Sequence, residues 1–486
     1  MNIPVQLEQS LLAKRVARLK TNTFSTLIPI SSGSESRSFK YENSYDKRNS
    51  RTMLQTFFKV GAGQWSASPV ETFEYGYDNL ARQTVIKHSD NNYRYQYAKL
   101  TYAKDGQFDL IQRHQTDYQF TPTAQNALAY TKFTYDQTGR LETLKHAADA
   151  QLQNLFAGYD YDWDAADRLI NIDFLAGRGV TAEDVDYTYD AAGQLKQALR
   201  AGNADESYQY DVRGNRSGQQ TYFDASSKSA AVGQNNQITG DGTYVYTYDD
   251  EGNRASRTKL VSGSATGEKQ DFVWDHRNRL TEIRIKTNAA DANYAKRVAY
   301  TYDINDQIVS RWIDADGDGN YTESPDYQNY TDYFFDGQNM HSEVIWYGTG
   351  HTFVYGPRTD QILFEVSDAT YAPLTDHLNS VRDIVKLVNG ASTNIEHNIY
   401  DAFGRVWSRE TYNAGTWTPN APTAVESKSH LGFTGRYLEI HSGLQYNWFR
   451  WYDSVLCIWI SEDPIGFAGR DANLYRYVGN LSLIHI

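Results

Sequence analysis

Residues 187–195 read YTYDAAGQL, and this short arrangement recurs along much of the 486-residue chain. Two aromatic residues flank one variable residue; an Asp follows, then two variable residues, then Gly or a substitute, often with Arg and Leu behind it. The other copies are YGYDNLARQ (75–83), FTYDQTGRL (133–141), YDWDAADRL (161–169), YQYDVRGNR (208–216), YTYDDEGNR (246–254), FVWDHRNRL (272–280), YTYDINDQI (300–308), YFFDGQNMH (333–341) and NIYDAFGRV (398–406). Such repetition is typical of a repeat architecture.

The seventh position of this motif predicts a tight turn. Its occupants are Gly139, Asp167, Gly193, Gly214, Gly252, Asn278, Asp306, Asn339 and Gly404, with Ala81 as the exception. Gly, Asn and Asp are the residues that best tolerate a backbone with positive φ. The preceding Asp can accept hydrogen bonds from the backbone N–H groups just ahead of it. A turn followed by a left-handed residue is a common hairpin loop, so each copy predicts a β-hairpin.

The two aromatic residues of each copy belong to the incoming strand. Alternate residues of a strand share a face, so pairs such as Tyr187 and Tyr189 place both rings on one side of a sheet. Tyr, Trp and Phe all occur there, which indicates a packing requirement. In YDYDWDAADRL (159–169), Asp160 and Asp162 alternate with the rings, and we expect both carboxylates to be solvated on the opposite face.

Composition also favours β-structure. The chain has 38 Tyr, 20 Phe and 10 Trp, and aromatic residues are enriched in strands. The intervals between copies fit a few short antiparallel strands each. We therefore predict an all-β fold, a spiralling array of antiparallel β-hairpins.

Charge and hydropathy exclude several classes of protein. The net charge of -13 argues against binding to duplex nucleic acid or to anionic membranes, because both need a basic face. No apolar run approaches the roughly 18 residues of a transmembrane helix, and no secretory signal peptide is visible. Residues 7–20 have helical periodicity with a basic face, which favours a solvated helix, with contact to a membrane surface as the alternative. The single cysteine, Cys457, excludes an intramolecular disulfide.

The motif is a YD repeat, and from Tyr75 to Asn480 the chain resembles the Rhs/YD-repeat proteins of bacteria. The similarity is sharpest in PLTDHLNSVRDIVKLVNG (373–390), YDAFGRV (400–406), LGFTGRYLEIHSGLQYNWFRWYD (431–453) and SEDPIGFAGRDANLYRYVGN (461–480), which look like successive blocks of the Rhs-associated core domain. The resemblance implies a hollow β-shell, similar to that of teneurins, that encloses a variable C-terminal toxin. It also implies a core domain that plugs the shell and, in many members, releases the toxin by aspartic-protease-like self-cleavage.

This resemblance sets the expected domain boundaries. We expect a joining or capping segment over 1–70, a YD-repeat shell over 71–360 and an Rhs-associated core domain over 361–480. The last six residues, LSLIHI (481–486), equal a translation of CTGTCTCTTATACACATC, which resembles a transposon end used in library preparation. We therefore expect a non-native tail, with the natural protein continuing past Asn480.

The resemblance assigns the acidic residue of self-cleavage to Asp463, within DPIG. A carboxylate there could act as a general base on water if a second acid shared its proton. Glu462 is adjacent, but neighbouring residues of an extended strand point in opposite directions. The chain departs from the family pattern at Ser454 for Pro, Cys457 for Gly, Ile458 for Arg, Trp459 for Phe and Arg470 for Gly.

One acidic stretch, DADGDGNYTESPD (314–326), has the ligand spacing of a calcium loop. Asp314, Asp316, Asp318 and Asn320 stand at its first, third, fifth and seventh places. The twelfth place holds Pro325 where a bidentate Glu is expected, although Glu323 is near. The segment is therefore either a calcium site or a solvated hairpin tip, and no cofactor is required.

The function that this sequence favours is structural. We expect part of a shell that encapsulates and delivers a C-terminal toxin or effector, secreted or displayed at the cell surface in the full-length protein. Two alternatives are self-cleavage through Asp463 and a binding module for a cell-surface or cell-wall glycan or protein. The histidines show no HExxH or Cys/His zinc spacing, and His377 beside Asp376 is interpreted as a polar turn or strand residue.

Overall fold

The computed structural model describes residues 21–30, 33–60, 63–176, 183–200, 205–221, 227–320, 329–345, 350–413, 416–420 and 427–481. Within these ranges the chain consists of β-strands and short 3-10 turns, without an α-helix. None of the described segments is a helix of the length and hydropathy needed to cross a membrane. The predicted helix over 7–20 and residues 482–486 of the tail lie outside the described residues.

Two long sheets and one small sheet contain the strands. The first, of 16 strands, contains β1 (Thr21–Ile30), β2 (Gly33–Tyr45), β3 (Arg51–Val60), β4 (Glu71–Tyr77), β5 (Gln83–Asp90), β6 (Tyr95–Tyr102), β7 (Phe108–Thr116), β8 (Ala127–Tyr135), β9 (Leu141–Ala147), β10 (Leu155–Trp163), β11 (Leu169–Ala176), β12 (Val185–Tyr189), β13 (Leu195–Arg200), β14 (Glu206–Tyr210), β15 (Arg216–Gln220) and β16 (Lys228–Ser229). The second, of 17 strands, contains β17 (Ala231–Val232), β18 (Ile238–Gly240), β19 (Tyr244–Tyr248), β20 (Arg254–Val261), β21 (Ser264–Trp274), β22 (Leu280–Lys286), β23 (Lys296–Tyr302), β24 (Ile308–Asp314), β25 (Tyr330–Asp336), β26 (Asn339–Ile345), β27 (His351–Tyr355), β28 (Ile362–Val366), β29 (Thr370–Thr375), β30 (Val381–Val388), β31 (Ala391–Tyr400), β32 (Val406–Asn413) and β33 (Thr416–Asn420). The small sheet contains β34 (Tyr437–Glu439), β35 (Leu444–Asn447), β36 (Arg450–Asp453) and β37 (Ile458–Trp459).

Strand order follows chain order in every sheet, and neighbouring strands are antiparallel. This meander confirms the predicted all-β array of hairpins. The second sheet continues through position 360, because β27 pairs with β28 across it.

The hairpin loop from Asp164 to Arg168 shows how the motif makes its turn. The Asp164 N–H donates to the Arg168 carbonyl at 2.9 Å, and the Asp167 N–H donates to the Asp164 carbonyl at 3.2 Å. Asp164 Oδ1 accepts from the N–H groups of Ala166 and Arg168, each at 2.9 Å. Arg168 Nε donates to Oδ2 of the same carboxylate at 2.7 Å. That last bond explains why Arg so often follows the turn residue.

The left-handed conformation predicted for the seventh position is confirmed at nearly every copy. Positive φ occurs at Ala81, Gly139, Asp167, Gly193, Gly214, Gly252, Asn278, Asp306 and Gly404. The prediction is wrong at Asn339, which lies in β26 and pairs with Asp336. The positive φ there, 65°, belongs to Gly337, so this copy closes with a two-residue turn.

The aromatic residues lie on the buried side, as predicted. Tyr161, Tyr187 and Tyr246 are almost completely buried. Asp162 is exposed, which fits the prediction, whereas Asp160 is half-buried. One Asp160 carboxylate oxygen is buried without a hydrogen-bond partner among the described residues, so the expectation of a fully solvated Asp160 is wrong.

The buried faces of the two long sheets meet in shared cores. Phe73 and Phe156 of the first sheet pack in one cluster with Phe364 of the second. Tyr159 packs in another cluster with Tyr400 and with residues near the C-terminus. These cores position the final part of the chain against the inner face of the array.

Candidate functional site

The C-terminal segment, residues 427–481, lies against both long sheets and is the candidate functional region. It carries the small sheet β34–β37. Its Tyr437 and Trp451 share a core with Tyr300 of the second sheet, and its Tyr477 shares one with Tyr187 of the first. The C-terminal segment of the chain therefore packs between the buried faces of the two long sheets.

A buried ion pair fixes this segment to the second sheet. Arg254 Nη1 donates to Asp453 Oδ2 at 2.6 Å, and both side chains are excluded from water. Burial opposes ionisation of Asp453, but the charges of Arg254 and Arg257 and the hydrogen bonds to the carboxylate together lower its pKa. The backbone of Arg254 also donates to the Ile460 carbonyl at 2.8 Å. Removing either partner would leave an unpaired buried charge.

Side chains of the C-terminal segment also bond to the repeat turns. Tyr475 Oη donates to the Gly252 carbonyl at 2.6 Å. Asn480 Nδ2 donates to the Gly214 carbonyl at 2.7 Å. Both glycines occupy the seventh position of the motif, so the turns of the array form part of the surface that binds this segment.

Close approach explains why some turns need Gly in particular. A Cβ atom at position 404 would lie 2.2 Å from the ring of Phe433, and one at position 252 would lie 2.7 Å from Tyr475 Oη. At Gly193 the nearest side-chain atom would be 3.9 Å away. The sequence interpretation of this position as a turn alone was therefore incomplete, because at Gly404 and Gly252 it is also a contact surface.

Asp463 lies in a loop of the C-terminal segment and pairs with Arg450. Arg450 Nη1 is 3.0 Å from Asp463 Oδ2, and the guanidinium lies 4.1 Å from the centre of the Trp459 ring. Asp463 Oδ1 accepts from the Ile465 N–H at 3.1 Å. The adjacent Glu462 is directed to Tyr475, with Oε1 3.5 Å from its hydroxyl. Among the described residues, the ionic partner of Asp463 is thus an arginine and not a second acid.

Two departures from the family pattern fall on left-handed residues. Cys457 has φ of 56° and Arg470 has φ of 62°, and both stand where the resemblance places Gly. Cys457 is buried against the guanidinium of Arg216, which also donates to the Val455 carbonyl at 3.0 Å. Burial raises the pKa of the Cys457 thiol, although Arg216 opposes the shift. The thiol is therefore a packed group and not an activated nucleophile.

The acidic loop brings together three of the predicted calcium ligands. Asp314, Asp316 and Asp318 place carboxylate oxygens within 4.8 Å of one another. Asp314 is fully buried, and its Oδ2 accepts from the Gly319 N–H at 2.7 Å. Its Oδ2 is also 3.7 Å from Nε of Arg297. Asn320 is exposed, and Glu323 lies outside the described residues.

A buried ionic cluster between β30, β31 and Glu183 was not predicted from the sequence. His397 Nδ1 is 2.8 Å from Asp383 Oδ1, and its Nε2 is 2.7 Å from Glu183 Oε1. Arg382 Nη2 donates to both oxygens of Glu183 at 2.6 Å. Burial alone would lower the pKa of His397, but the two carboxylates outweigh it and raise that pKa to about 10.

This cluster borders a cavity of about 40 Å³ that is also lined by Asp376 and His377. Asp376 begins a turn of the repeat type, since its Oδ1 accepts from the N–H groups of Leu378 at 2.9 Å and Ser380 at 3.0 Å. His377 packs on Tyr161 with ring centres 4.9 Å apart. It therefore occupies a turn, as its sequence context suggested.

Comparison with known proteins agrees with this architecture. The family model described as Teneurin YD-shell matches residues 34–481. The crystal structure of TcdB2-TccC3 superposes with a TM-score of 0.67 at 16% identity, covering 92% of this chain and 22% of that one. At this identity the likeness shows the fold.

Two curated relatives are toxins or nucleases of bacteria. Double-stranded DNA deaminase toxin A of Burkholderia cenocepacia (strain H111) is 26% identical over 385 residues, which is 71% of this chain and 23% of that protein. The tRNA nuclease WapA of Bacillus subtilis (strain 168) is 23% identical over 313 residues, 60% of this chain and 11% of that protein. The chain thus spans less than a quarter of the length of these relatives.

Proposed function

The chain belongs to the Teneurin YD-shell family, and we propose that it is part of a shell that encapsulates and delivers a C-terminal toxin or effector. The observation that carries this proposal is the seating of residues 427–481 on the aromatic inner face and turns of the repeats. A segment held there would block the interior and fix the start of whatever follows it. The full-length protein would then act outside the producing cell.

The chain covers 23% of the double-stranded DNA deaminase toxin and 22% of the TcdB2-TccC3 chain. We infer that a closed cargo chamber needs further repeat strands, which the full-length protein would supply.

Protection of the cargo from protease tests the proposal. The natural gene, extended through its downstream sequence, would be expressed with an epitope in the C-terminal region and treated with proteinase K. We expect the epitope to survive in the wild type and in Gly193→Asn, and to be digested faster in Gly404→Asn, whose seat for Phe433 is obstructed. Digestion in the wild type as fast as in the isolated cargo domain would reject encapsulation.

Self-cleavage through Asp463 is a second candidate, favoured by a side chain that remains about a quarter exposed on its loop, 24% by area. Its pairing with Arg450 means that a second acid would have to come from elsewhere in the full-length protein. Gel analysis of the full-length wild type, Asp463→Asn and the neighbouring control Glu462→Gln tests this. Cleavage lost in Asp463→Asn alone supports the role, and cleavage that persists in Asp463→Asn rejects it.

A further inference from the structure

A group of two histidines and two glutamates lies where the hairpin β26–β27 meets the C-terminal segment. Glu343 of β26 is the direct cross-strand partner of His351 of β27. His430, from the start of the C-terminal segment, stacks near His351 with ring centres 4.2 Å apart. Glu343, His351 and His430 each offer a ligand atom, and these atoms lie within 4.8 Å of one another.

Hydrogen bonds already orient both imidazoles. His430 Nδ1 is 2.8 Å from Glu343 Oε1, and His351 Nδ1 is 2.5 Å from Glu365 Oε1. At His351 the Glu365 carboxylate holds the proton on Nδ1 and leaves Nε2 as a lone-pair donor to a metal. At His430 the ligand atom would be Nδ1, which already lies beside the Glu343 oxygen, as two ligands of one ion do. The Glu365–His351 pair therefore has the form of the carboxylate–histidine unit that supports many zinc ligands.

Two carboxylate oxygens in this group lack a partner. Oε2 of Glu343 and Oε2 of Glu365 are buried and accept no hydrogen bond from the described residues. Both side chains are at least 99% excluded from water, with exposures of 1% and 0%. A buried charged oxygen without a donor costs free energy, so natural proteins rarely leave two of them together. A cation bound by Glu343 would satisfy the first of them.

We propose that Glu343, His351 and His430 bind a divalent transition-metal ion of the zinc class, with Glu365 as the positioning residue for His351. Two imidazoles and one carboxylate match the ligand set of zinc and exclude calcium or magnesium, which take oxygen ligands. Zinc ligands lie about 2 Å from the ion and thus about 3.4 Å apart, a small contraction of the observed group. A cavity of about 230 Å³, lined by Glu343 and His351, leaves room for a water as the fourth ligand.

Such an ion would join two parts of the chain that are distant in sequence. Glu343 and His351 belong to the second long sheet, whereas His430 begins the C-terminal segment. Coordination would hold that segment in its seat and add stability that depends on metal. The inference rests on this local geometry and does not depend on the proposed shell function.

Metal analysis of the intact 486-residue chain tests the proposal. After removal of metal by chelation and dialysis, one equivalent of Zn²⁺ should bind and raise the melting temperature by about 2 °C or more. Co²⁺ in place of Zn²⁺ should give the visible absorption of a tetrahedral site with nitrogen ligands. His351→Ala and His430→Ala should each lose the Co²⁺ spectrum and weaken Zn²⁺ binding at least about tenfold.

Matched histidine variants make the outcome specific. The buried His114→Ala and the exposed His276→Ala should keep one equivalent of Zn²⁺ and the Co²⁺ spectrum, because neither belongs to the group. Glu343→Gln, which preserves shape, tests the carboxylate if an alanine variant fails to fold. Absence of stoichiometric Zn²⁺ binding in the folded wild type would overturn the proposal, as would binding that survives in folded His351→Ala and His430→Ala.

Discussion

The hydroxyl of Tyr302 donates a hydrogen bond to the backbone carbonyl of Leu280 at 2.6 Å, and so links one repeat hairpin to the hairpin before it. Tyr302 is the second aromatic residue of its motif, and Leu280 begins the outgoing strand of the preceding copy. The same bond recurs in the pairs Tyr210–Leu195, Trp163–Leu141 and Trp274–Arg254. The second aromatic position therefore uses a hydrogen-bond donor as well as a ring.

Removing one hydroxyl from this motif should have opposite effects at its two tyrosines. Tyr302→Phe should cost about 1 kcal/mol, because the Leu280 carbonyl loses its donor. Tyr300→Phe should be neutral or slightly stabilising, because the buried Tyr300 hydroxyl has no partner among the described residues. Urea unfolding of both variants measures the difference. Equal losses would show that the linking bond contributes nothing specific.

Substitutions of two turn glycines should separate the cost of a positive φ from the cost of a clash with the C-terminal segment. Gly193→Asn should lower the free energy of unfolding by about 1 kcal/mol, because only the positive φ disfavours the new residue there. Asn278 already has a positive φ at the same position of another copy. Gly404→Asn should cost about 3 kcal/mol or more, because the new side chain meets the Phe433 ring. Thermal and chemical unfolding compare the two. A similar cost at both positions would contradict docking of the C-terminal segment on this turn.

The His397 cluster predicts a pH dependence of stability. In the folded protein the pKa of His397 is raised to about 10 from its ordinary value of 6.5. The free energy of unfolding that its charged form contributes is therefore fully present below about pH 6.5. That contribution is lost as the pH rises through about 10. Near pH 6, His397→Gln should have a free energy of unfolding about 3 kcal/mol below that of the wild type. The variant should lack the fall in unfolding free energy that deprotonation of His397 causes at alkaline pH.

Unfolding free energies measured at intervals from pH 6 to pH 10 check this prediction. The difference between wild type and His397→Gln should narrow as the pH rises, because other titrating groups are common to both proteins. A difference that stays constant over this range would mean that His397 is neutral in the folded protein.

The left-handed arginine at position 470 should be replaceable with a gain in stability. Arg470 is exposed and has φ of 62°, a conformation that costs a non-glycine residue about 1 kcal/mol. Arg470→Gly should stabilise the chain by up to about 1 kcal/mol, and Arg470→Ala should give no gain. Melting temperatures of the two variants decide this, and a gain in Arg470→Ala would assign the effect to charge and not to the backbone.

The acidic loop at 314–320 offers a simple test of its two alternatives. We expect no calcium-binding heat in calorimetric titration of the whole chain. Asp314 already accepts hydrogen bonds from the backbone of Gly317 and Gly319, as an acidic hairpin tip does. Heat in the wild type that Asp316→Ala abolishes would instead establish the calcium site.

Local geometry is the part of the fold that the sequence made predictable. A turn at Asp164 follows from short-range rules for Asp and for residues with positive φ. The error at Asn339 also has a local cause, because Gly337 can take the first central position of a two-residue turn, which puts Asn339 back in the strand opposite Asp336. Turns of the same type at Asp90 and Asp117 were missed, since bulky Tyr93 and Phe120 take the left-handed position there.

Contacts between distant parts of the chain were not predictable from one sequence. Glu183 meets His397, and Glu343 meets His430, only after the two long sheets and the C-terminal segment have come together. No spacing rule relates residues so far apart along the chain. For the same reason the spacing of the histidines gave no sign of a zinc site.

In the proposed function, these repeats form part of a shell around a C-terminal cargo. An electron cryo-microscopy reconstruction of the full-length natural protein tests it most directly. The predicted result is a closed shell with cargo density inside, and with residues 427–481 seated on the turns at Gly214, Gly252 and Gly404. A cargo domain resolved outside the repeats, or an open array without an enclosed chamber, would contradict it.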